Sequence, residues 1–168
     1  MNAADLLIFL NARSIPFAQH AHAPVYTCEE AQRLVPRLPG ARTKNLFLAD
    51  KKGRRHMLLV VPQEKRVDLD ALSAGLDAKG LRLASNQRLQ RYLGVTPGAV
   101  SLLALVNDVG RAVELVVDEA LWAAEAFQCH PLDNSATLVI AHGSMQLFLA
   151  ATGHSPRIIP VPAIDQPQ

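Results

Sequence analysis

Lys44 and Asn45 place a cation and an amide directly before an apolar segment, Leu46-Phe47-Leu48. A lysine at this position most often lies at a solvated strand edge. The same pair could instead direct a positive charge and a hydrogen-bonding amide at an anionic or carbonyl group near the end of a sheet. Lys44 and Asn45 are therefore the first candidates for a site that binds or polarises a carbonyl group.

A second candidate is the loop Gly94-Val95-Thr96-Pro97-Gly98. Glycine permits close approach of the backbone, so N–H groups near Gly98 could bind a phosphate or stabilise a developing oxyanion. Most loops of this composition are only turns. The spacing matches neither a P-loop nor a dinucleotide-binding fingerprint, so the loop alone specifies no ligand.

The residue types that act as nucleophiles or metal ligands form weaker patterns. Cys28 and Cys129 lie far apart in the sequence and give neither metal-ligand spacing nor a disulfide framework. A Cys129–His130 dyad is not expected, because neighbours on a strand point to opposite faces. A pair between Cys28 and a histidine stays open. His20 and His22 could share one strand face, but no third ligand is apparent, so we predict neither a metal nor a cofactor.

Basic residues crowd one predicted turn and recur later in the chain. They form either a solvated surface or a set of phosphate contacts that position an RNA without reading its sequence. The formal net charge of +2 is too small to indicate a nucleic-acid-binding protein by itself. The candidate RNA-binding residues are Lys51, Lys52, Arg54, Arg55 and Arg82.

Short helices and strands must position these residues. Two apolar runs, 46–48 and 57–61, flank the turn 50–53 and predict a β-hairpin. Potential N-caps at Asn2, Thr27, Asp68 and Ser85 predict helices, the second of them reaching about Val35. Further strands are predicted at 16–22, 81–84, 113–117, 127–130, 136–140 and 158–161, and further helices at 119–125 and 145–151.

This succession predicts a mixed α/β fold of one domain over residues 1–168. Strands outnumber a simple βαβ alternation and hairpins recur, which favours a largely antiparallel, barrel-like sheet surrounded by helices. The Pro- and Gln-containing end, 162–168, is expected to be frayed. The chain shows no basic signal-peptide start and no apolar run of membrane-spanning length, so we expect a cytoplasmic protein without a membrane partner.

Five motifs then occur in a characteristic order over roughly residues 3–161. With them, the sequence resembles the YbaK/prolyl-tRNA synthetase-associated editing-domain superfamily, and within it the free-standing deacylases of alanyl-tRNA(Pro), the ProXp-ala or PrdX group. The motifs are Lys44-Asn45-Leu46-Phe47-Leu48, Gly94-Val95-Thr96-Pro97-Gly98, Val106-Asn107-Asp108, His130-Pro131-Leu132-x-Asn134-x-Ala136-Thr137 and Gly153-His154-x-Pro156.

The resemblance implies residue roles as well as a barrel-like fold. Lys44 would be catalytic, with Asn45 beside the pocket and His130 at the substrate. The family's flexible loop falls on Gly98, Ala99, Val100, Ser101 and Leu102, where Leu102 replaces the proline of the family pattern. That replacement bears on the geometry of the loop and on amino-acid specificity.

The implied reaction is hydrolysis of the ester that joins alanine to tRNA(Pro), which prevents mistranslation of proline codons. An activated ester needs a positioned water and a stabilised oxyanion rather than a protein nucleophile. A synthetase pocket for proline cannot fully reject smaller alanine, since a missing methylene changes binding by only about 1–3 kcal/mol. The implied partner is the tRNA(Pro) acceptor end carrying a small amino acid, with transient contact to prolyl-tRNA synthetase as a further candidate, and DNA is not a predicted partner.

Three alternatives stay open at this point. The chain could deacylate another small residue, such as serine, cysteine or 2-aminobutyrate. It could be a non-catalytic tRNA-binding module, for which the change at Leu102 is the best argument. It could be a thiol hydrolase that uses Cys28 or Cys129, in which case a Cys→Ser substitution would abolish its activity.

Overall fold

The computed structural model describes residues 1–24, 29, 33 and 37–165. Five α-helices are defined in this part of the chain: α1 (Ala3–Ala12), α2 (Leu69–Gly75), α3 (Asn86–Leu93), α4 (Glu119–Trp122) and α5 (His142–Thr152). Two 3-10 helices, Pro97–Ala99 and Leu102–Asn107, follow α3. The helix predicted from Thr27 to Val35, together with Cys28, falls on residues outside the described ones, apart from Glu29 and Arg33.

The strands form one mixed sheet. They are β1 (Ala18–Ala21), β2 (Ala41–Ala49), β3 (His56–Pro62), β4 (Arg82–Leu83), β5 (Val113–Asp118), β6 (Ala126–Cys129), β7 (Ala136–Ala141) and β8 (Arg157–Ile159). Their order is β1-β7-β6-β2-β3-β5-β8, with β4 paired to β2. The mixed α/β class is confirmed, although among the strands described the sheet is open rather than closed into a barrel, since β1 and β8 are its two ends.

The sheet contains both antiparallel and parallel pairings. The pairs β1–β7, β2–β3, β2–β4 and β6–β7 are antiparallel. The pairs β2–β6, β3–β5 and β5–β8 are parallel. The central hairpin β2–β3 is the predicted one. It has the parallel neighbour β5 beside β3, and beside β2 the parallel β6 at one end and the antiparallel β4 at the other.

Strand β3 separates two apolar clusters. Leu58 and Val60 belong to a large cluster that includes residues of α1, α3, α5 and the 3-10 helices, which we call the inner cluster. Leu59 and Val61 belong to a smaller cluster with α2, which we call the outer cluster. Because side chains alternate along a strand, the two clusters lie on opposite faces of the sheet. Both faces of the central strands are therefore buried.

Three predicted N-caps, Asn2, Asp68 and Ser85, are found where the sequence places them, whereas the helix predicted from Met145 begins three residues earlier, at His142. Asn2 accepts a hydrogen bond from the Asp5 backbone N–H at 2.9 Å, and the Asp5 carboxylate accepts one from the Asn2 N–H at 3.1 Å. Asp68 and Ser85 cap α2 and α3 in the same manner, through the backbone N–H groups of residues 71 and 88. Each cap satisfies a backbone donor that the first helical turn leaves unpaired.

The start of the predicted frayed tail is hydrogen-bonded to the chain. The Asp68 N–H donates to the Pro162 carbonyl at 2.9 Å, and the Ile164 N–H donates to the Arg66 carbonyl at 2.8 Å. A bridge between Val67 and Ala163 lies between these two bonds. Residues 162–164 therefore extend the contact between the last strand and the segment before α2.

Within the described part of the chain, none of the helices has the length and apolar character needed to cross a lipid bilayer.

Candidate functional site

Strands β2 and β6 run in parallel and bring two of the predicted motifs to the same end of the sheet. Ala41 and Arg42 pair with Phe127 and Gln128. Lys44-Asn45 and Cys129-His130 therefore both follow the paired residues in the same direction. The Thr43 hydroxyl joins the two strands at this point, donating a hydrogen bond to the Gln128 carbonyl at 2.8 Å.

Alternation along these strands sorts the candidate residues between the two faces. Thr43 and Cys129 line the same apolar cavity, so both point to the inner face. Their neighbours Lys44 and His130 are therefore directed to the opposite, outer face, and Asn45 returns to the inner face. The structure thus brings Lys44 and His130 together on one face and separates Asn45 from Lys44.

Lys44 is half-buried and anchored by the backbone. Its Nζ donates a hydrogen bond to the carbonyl of Lys65. The Lys65 side chain is itself held, since its Nζ lies 2.5 Å from Oδ2 of Asp118 and donates to the Val161 carbonyl at 2.9 Å. The position of the Lys44 ammonium group is therefore tied to a buried ion pair.

The hydrogen bonds around Thr43 fix the orientation of the Asn45 amide. The single hydroxyl proton of Thr43 is donated to Gln128, so its oxygen can only accept from Asn45. Asn45 accordingly directs its Nδ2 towards Thr43, at 3.4 Å. Its Oδ1 is buried and has no hydrogen-bond partner among the described residues. The Oδ1 atom of Asn45 is therefore available to accept a hydrogen bond from a ligand.

His130 also presents an unfilled acceptor. Its Nδ1 is buried without a partner in the described structure. Burial lowers the pKa of His130 below the ordinary value of 6.5, and the neighbouring His22 acts in the same direction, while the Ala136 backbone and Asp133 partly oppose them. The ring is therefore neutral at pH 7. Since Nδ1 has no partner, the hydrogen bond to the Ala136 backbone is assigned to Nε2. Nε2 then carries the ring proton, and Nδ1 keeps its lone pair.

Buried polar atoms without hydrogen bonds are rare and call for a physical explanation. Three such side-chain atoms occur in the described residues: Asn45 Oδ1, His130 Nδ1 and Asp118 Oδ2. Asp118 is explained by its ion pair with Lys65. The remaining two are residues that the sequence motifs selected. Their free acceptors are what a site for a ligand with N–H or O–H donors requires.

The loop Gly98–Leu102 reaches the site from the inner face. Gly98 is exposed within the first 3-10 helix, Ala99 is buried and Val100 is half-buried. The buried Ser101 hydroxyl caps the next 3-10 helix by accepting from the Leu103 N–H at 3.2 Å. Leu102 lines the cavity with Thr43 and Cys129. The loop therefore supplies apolar packing beneath β2, and Ser101 has a structural hydrogen bond.

That cavity is small and apolar. It holds about 10 Å³, space for about one water molecule. Trp122, the only tryptophan of the chain, is among its lining residues. The packing under Thr43 thus leaves little free volume on the inner face.

Burial argues against Cys129 as a nucleophile, while Cys28 lies outside the described residues. Cys129 is fully buried, and burial raises the pKa of its thiol to about 12, which keeps it protonated at neutral pH. Among the residues that the structure describes, no group of three or more His, Cys, Asp or Glu side chains could hold a metal ion.

The predicted RNA-binding residues lie at the other end of β2. Six residues separate Lys44 from the turn at Asp50, about 20 Å along an extended strand. An open groove of about 660 Å³ lies beside this turn. Its charged and polar lining residues are Asp50, Lys51, Lys52, Arg82, Ser85 and Arg88.

Contacts distinguish the basic residues of this region. Arg55 makes two hydrogen bonds to the Glu114 carboxylate, at 2.8 and 2.9 Å, and two more to backbone carbonyls. These intramolecular hydrogen bonds occupy the Arg55 guanidinium, which is therefore not available to contact a phosphate. Arg82 pairs with Asp70 at 3.1 Å on the exposed surface, where such a pair is weak and exchangeable. Lys51, Lys52 and Arg54 are exposed.

Sequence reasoning missed two features of this arrangement: the Thr43 link between strands and the Lys65–Asp118 pair. Asp118 carried only the signal of a helix N-cap, since it lies between the strand Val113–Val117 and the predicted helix from Glu119. Lys65 carried none, because its role depends on a partner more than fifty residues away.

Comparison with known proteins identifies the class of domain. Residues 22–146 match the model of the aminoacyl-tRNA editing domain family. This match spans most of the chain and includes Lys44, Asn45, the loop Gly98–Leu102 and His130. The chain therefore belongs to the family of aminoacyl-tRNA editing domains.

Individual relatives agree with this assignment. The chain is 37% identical over 146 residues to the prolyl-tRNA editing protein ProX of Acetoanaerobium sticklandii, covering 87% of this chain and 89% of that protein. It is 40% identical over 157 residues to prolyl-tRNA synthetase associated domain-containing protein 1 of Danio rerio, covering 92% and 85%. A solved structure proposed to be a trans-editing enzyme for prolyl-tRNA synthetase shares the fold, with a TM-score of 0.69, 21% identity and coverage of 96% and 97%.

Proposed function

We propose that this protein is a trans-editing deacylase that hydrolyses the ester bond of Ala-tRNA(Pro). The observation that carries the proposal is the unfilled acceptor His130 Nδ1 on the same face as the anchored cation of Lys44. A second unfilled acceptor, Asn45 Oδ1, lies on the inner face of the same strand. An aminoacylated ribose offers matching groups: an amino group, a hydroxyl next to the ester and a carbonyl that becomes negatively charged during hydrolysis. The family assignment and the similarity to ProX support the same reaction.

In the proposed reaction a water adds to the ester carbonyl and passes one proton to His130 Nδ1, directly or through the neighbouring ribose hydroxyl. The tetrahedral intermediate carries its negative charge on the former carbonyl oxygen, and its collapse releases alanine and returns a proton to the ribose oxygen. Lys44 would stabilise the oxyanion. The loop of Gly98 lies on the opposite face of β2 from the Lys44 side chain, so its backbone N–H groups are not assigned to the same oxygen. His130 Nδ1 would accept a hydrogen bond from the attacking water or from the neighbouring ribose hydroxyl, since the neutral ring keeps this lone pair available.

Asn45 has a different proposed role, because it lies on the inner face beside Thr43. Its Oδ1 would accept a hydrogen bond from the amino group of the bound residue at the edge of the site. Below it, Leu102 and Cys129 leave about 10 Å³ of free space. A bulky side chain could enter only by displacing these residues, which favours alanine and other small amino acids over proline.

The tRNA is proposed to bind through the groove at the far end of β2. Lys51, Lys52, Arg82 and Arg88 line it and would contact phosphates, while Arg55 is excluded by its contacts to Glu114. Transient contact with prolyl-tRNA synthetase is part of the same proposal and would appear as a change in deacylation rate when the synthetase is added.

The test is deacylation of tRNA(Pro) charged separately with alanine, serine, cysteine, 2-aminobutyrate or proline. We expect alanine to be released fastest and the Lys44→Ala variant to be about 100- to 1000-fold slower, as for loss of an oxyanion donor. Lys79→Ala is the matched control, since Lys79 is an exposed lysine outside both the site and the groove lining.

Each other outcome would revise the proposal differently. Faster release of another small residue would keep the deacylase and change its substrate. Binding of tRNA(Pro) without hydrolysis of any ester would identify a binding module instead. Full activity of Lys44→Ala would remove Lys44 from the mechanism.

A further inference from the structure

We infer that the buried ion pair between Lys65 and Asp118 positions the ammonium group of Lys44 for ester hydrolysis. This inference rests on the proposed function, since it requires Lys44 to act in the reaction. Lys65 and Asp118 would contact neither the substrate nor the attacking water, and would act through Lys44 as positioning residues.

The first step of the argument is the anchor itself. Lys44 Nζ donates to the main-chain carbonyl of Lys65, so the ammonium position depends on where that piece of backbone lies. Lys65 belongs to the connection between β3 and α2, outside any regular element. A backbone carbonyl in such a connection needs additional contacts to be held in one place.

The second step is that the Lys65 side chain adds a buried contact to those that the backbone of this connection already makes, among them the hydrogen bond from the Lys65 N–H to the Pro62 carbonyl at 3.0 Å. Its Nζ lies 2.5 Å from Asp118 Oδ2 and donates to the Val161 carbonyl at 2.9 Å. Asp118 is the last residue of β5, and Val161 follows β8, two strands that pair with each other in the sheet. The carbonyl that receives Lys44 is thereby fastened to the sheet through its own side chain.

The third step is that the ion pair is largely buried, which points to a geometric role rather than a stabilising one. The Asp118 side chain is only 1% exposed and that of Lys65 22%. Taking a carboxylate out of water is costly, and a buried ion pair often adds no stability over apolar residues of the same size. Geometric specificity is the gain that such a pair can provide, and the geometry it fixes here is that of the Lys65 carbonyl.

The consequence for catalysis depends on how far the Lys44 ammonium group can move before the reaction slows. A catalytic group must stay within about 0.5 Å of its productive position, and a shift of about 1 Å can cost about 100-fold in rate. A free lysine side chain samples many rotamers, which a hydrogen bond to a fixed carbonyl restricts. Loosening the carbonyl would therefore slow the reaction without removing any group that contacts the substrate.

The test replaces both partners together, as Lys65→Met with Asp118→Asn. Removing only one partner would leave a buried unpaired group and could unfold the protein. The backbone carbonyl of Lys65 persists in the double variant, so only its fixation changes. Glu64→Gln with Arg66→Met is the matched control: both residues are exposed neighbours of Lys65, and their replacement also removes one acidic and one basic charge.

The readout is single-turnover deacylation of Ala-tRNA(Pro) in a double-mutant cycle with Lys44→Ala. We expect the pair variant to lose about 10- to 100-fold in kcat with KM changed less than about threefold. In the Lys44→Ala background the same pair variant should cause no further loss, because the residue through which it acts is gone. The single variant Lys65→Arg keeps Asp118 and can still pair with it, so its rate should stay close to that of the unmodified protein.

Three results would overturn the inference. An equal loss of rate in both backgrounds would show that the pair acts on the fold in general, and an unchanged kcat would show that it does not act on the reaction. Full activity of Lys44→Ala would remove the residue through which the pair is inferred to act. Absence of deacylation by the unmodified protein would instead reject the proposed function, which separates that failure from failure of this inference.

Discussion

His130 combines burial with an unfilled acceptor, so its protonation state decides whether it can serve the reaction. Burial lowers its pKa from the ordinary value of 6.5. Above that value the ring is neutral and Nδ1 can accept a hydrogen bond. As the pH falls through the lowered pKa, Nδ1 gains a proton and the acceptor is lost.

The pH dependence of kcat/KM should therefore show an acid limb with an apparent pKa below 6.5. His130→Gln keeps a side-chain acceptor but cannot titrate, so we expect a lower rate without this limb. The measurement is deacylation of Ala-tRNA(Pro) from about pH 5 to about pH 7.5, where the free enzyme's essential groups determine kcat/KM. An unchanged acid limb in His130→Gln would assign the titration to another group.

At the scale of elements, His56 connects the hairpin to α3. It is buried on β3, with its ring stacked on Tyr92 at a centroid distance of 4.2 Å and on Phe47 at 5.9 Å. Arg88 lies 2.8 Å from His56 Nε2 and 3.3 Å from the Gly53 carbonyl. Since a guanidinium can only donate, Nε2 must accept, and the ring is neutral. His56 thus orients an arginine of the groove.

This arrangement predicts a stability that depends on pH. Burial and the charge of Arg88 lower the pKa of His56 below 6.5. A lowered histidine pKa means that the unfolded chain binds the proton first, so stability is fully present above pH 6.5 and falls as the pH drops through the folded pKa. Urea unfolding should show this loss between pH 7 and about pH 5.

His56→Phe is the variant that checks this assignment. The aromatic stack would persist, while the lost hydrogen bond would cost about 1 kcal/mol at neutral pH. Because Phe does not titrate, the decrease of unfolding free energy towards low pH should become smaller. His130 contributes in the same direction, so a residual decrease is expected in the variant. An identical decrease in both proteins would contradict the role of His56.

The elements were largely predictable from local signals, whereas the site was only partly so. Capping residues and the turn at 50–53 act within a few residues, so Asn2, Asp68 and the β2–β3 hairpin were found where the sequence placed them. The parallel pairing of β2 with β6 joins residues more than eighty positions apart and leaves no local pattern. That pairing brings the Lys44 and His130 motifs to the same end of the sheet, which no local pattern could show.

At the scale of the whole molecule, β2 carries a proposed site at each of its ends. The Lys44 end would hold the ester, and the turn at the other end borders the basic groove about 20 Å away. This separation is comparable to the width of a nucleic-acid duplex, so one RNA could contact both ends. Phosphate contacts at the groove would then contribute affinity without taking part in the chemistry.

Replacing Lys51 and Lys52 together by alanine should consequently weaken binding of tRNA(Pro) and reduce its salt dependence. The slope of log K against log salt should fall by about one for each lost phosphate contact, hence by about two. At saturating tRNA, kcat should stay within about twofold of the unmodified protein, because the ester lies at the other end of β2. The measurements are affinity at several salt concentrations and single-turnover deacylation.

Arg66→Ala with Arg157→Ala is the charge-matched control, since both arginines are exposed and neither lines the groove. If the control reduced the salt slope as much as the lysine variant, affinity would follow net charge, and the groove would have no special place in RNA binding. If the lysine variant instead lowered kcat at saturating tRNA, the two ends of β2 would be coupled in the reaction. A reduced slope with an unchanged kcat, seen only in the lysine variant, is the result that separates anchoring of the RNA from hydrolysis of its ester.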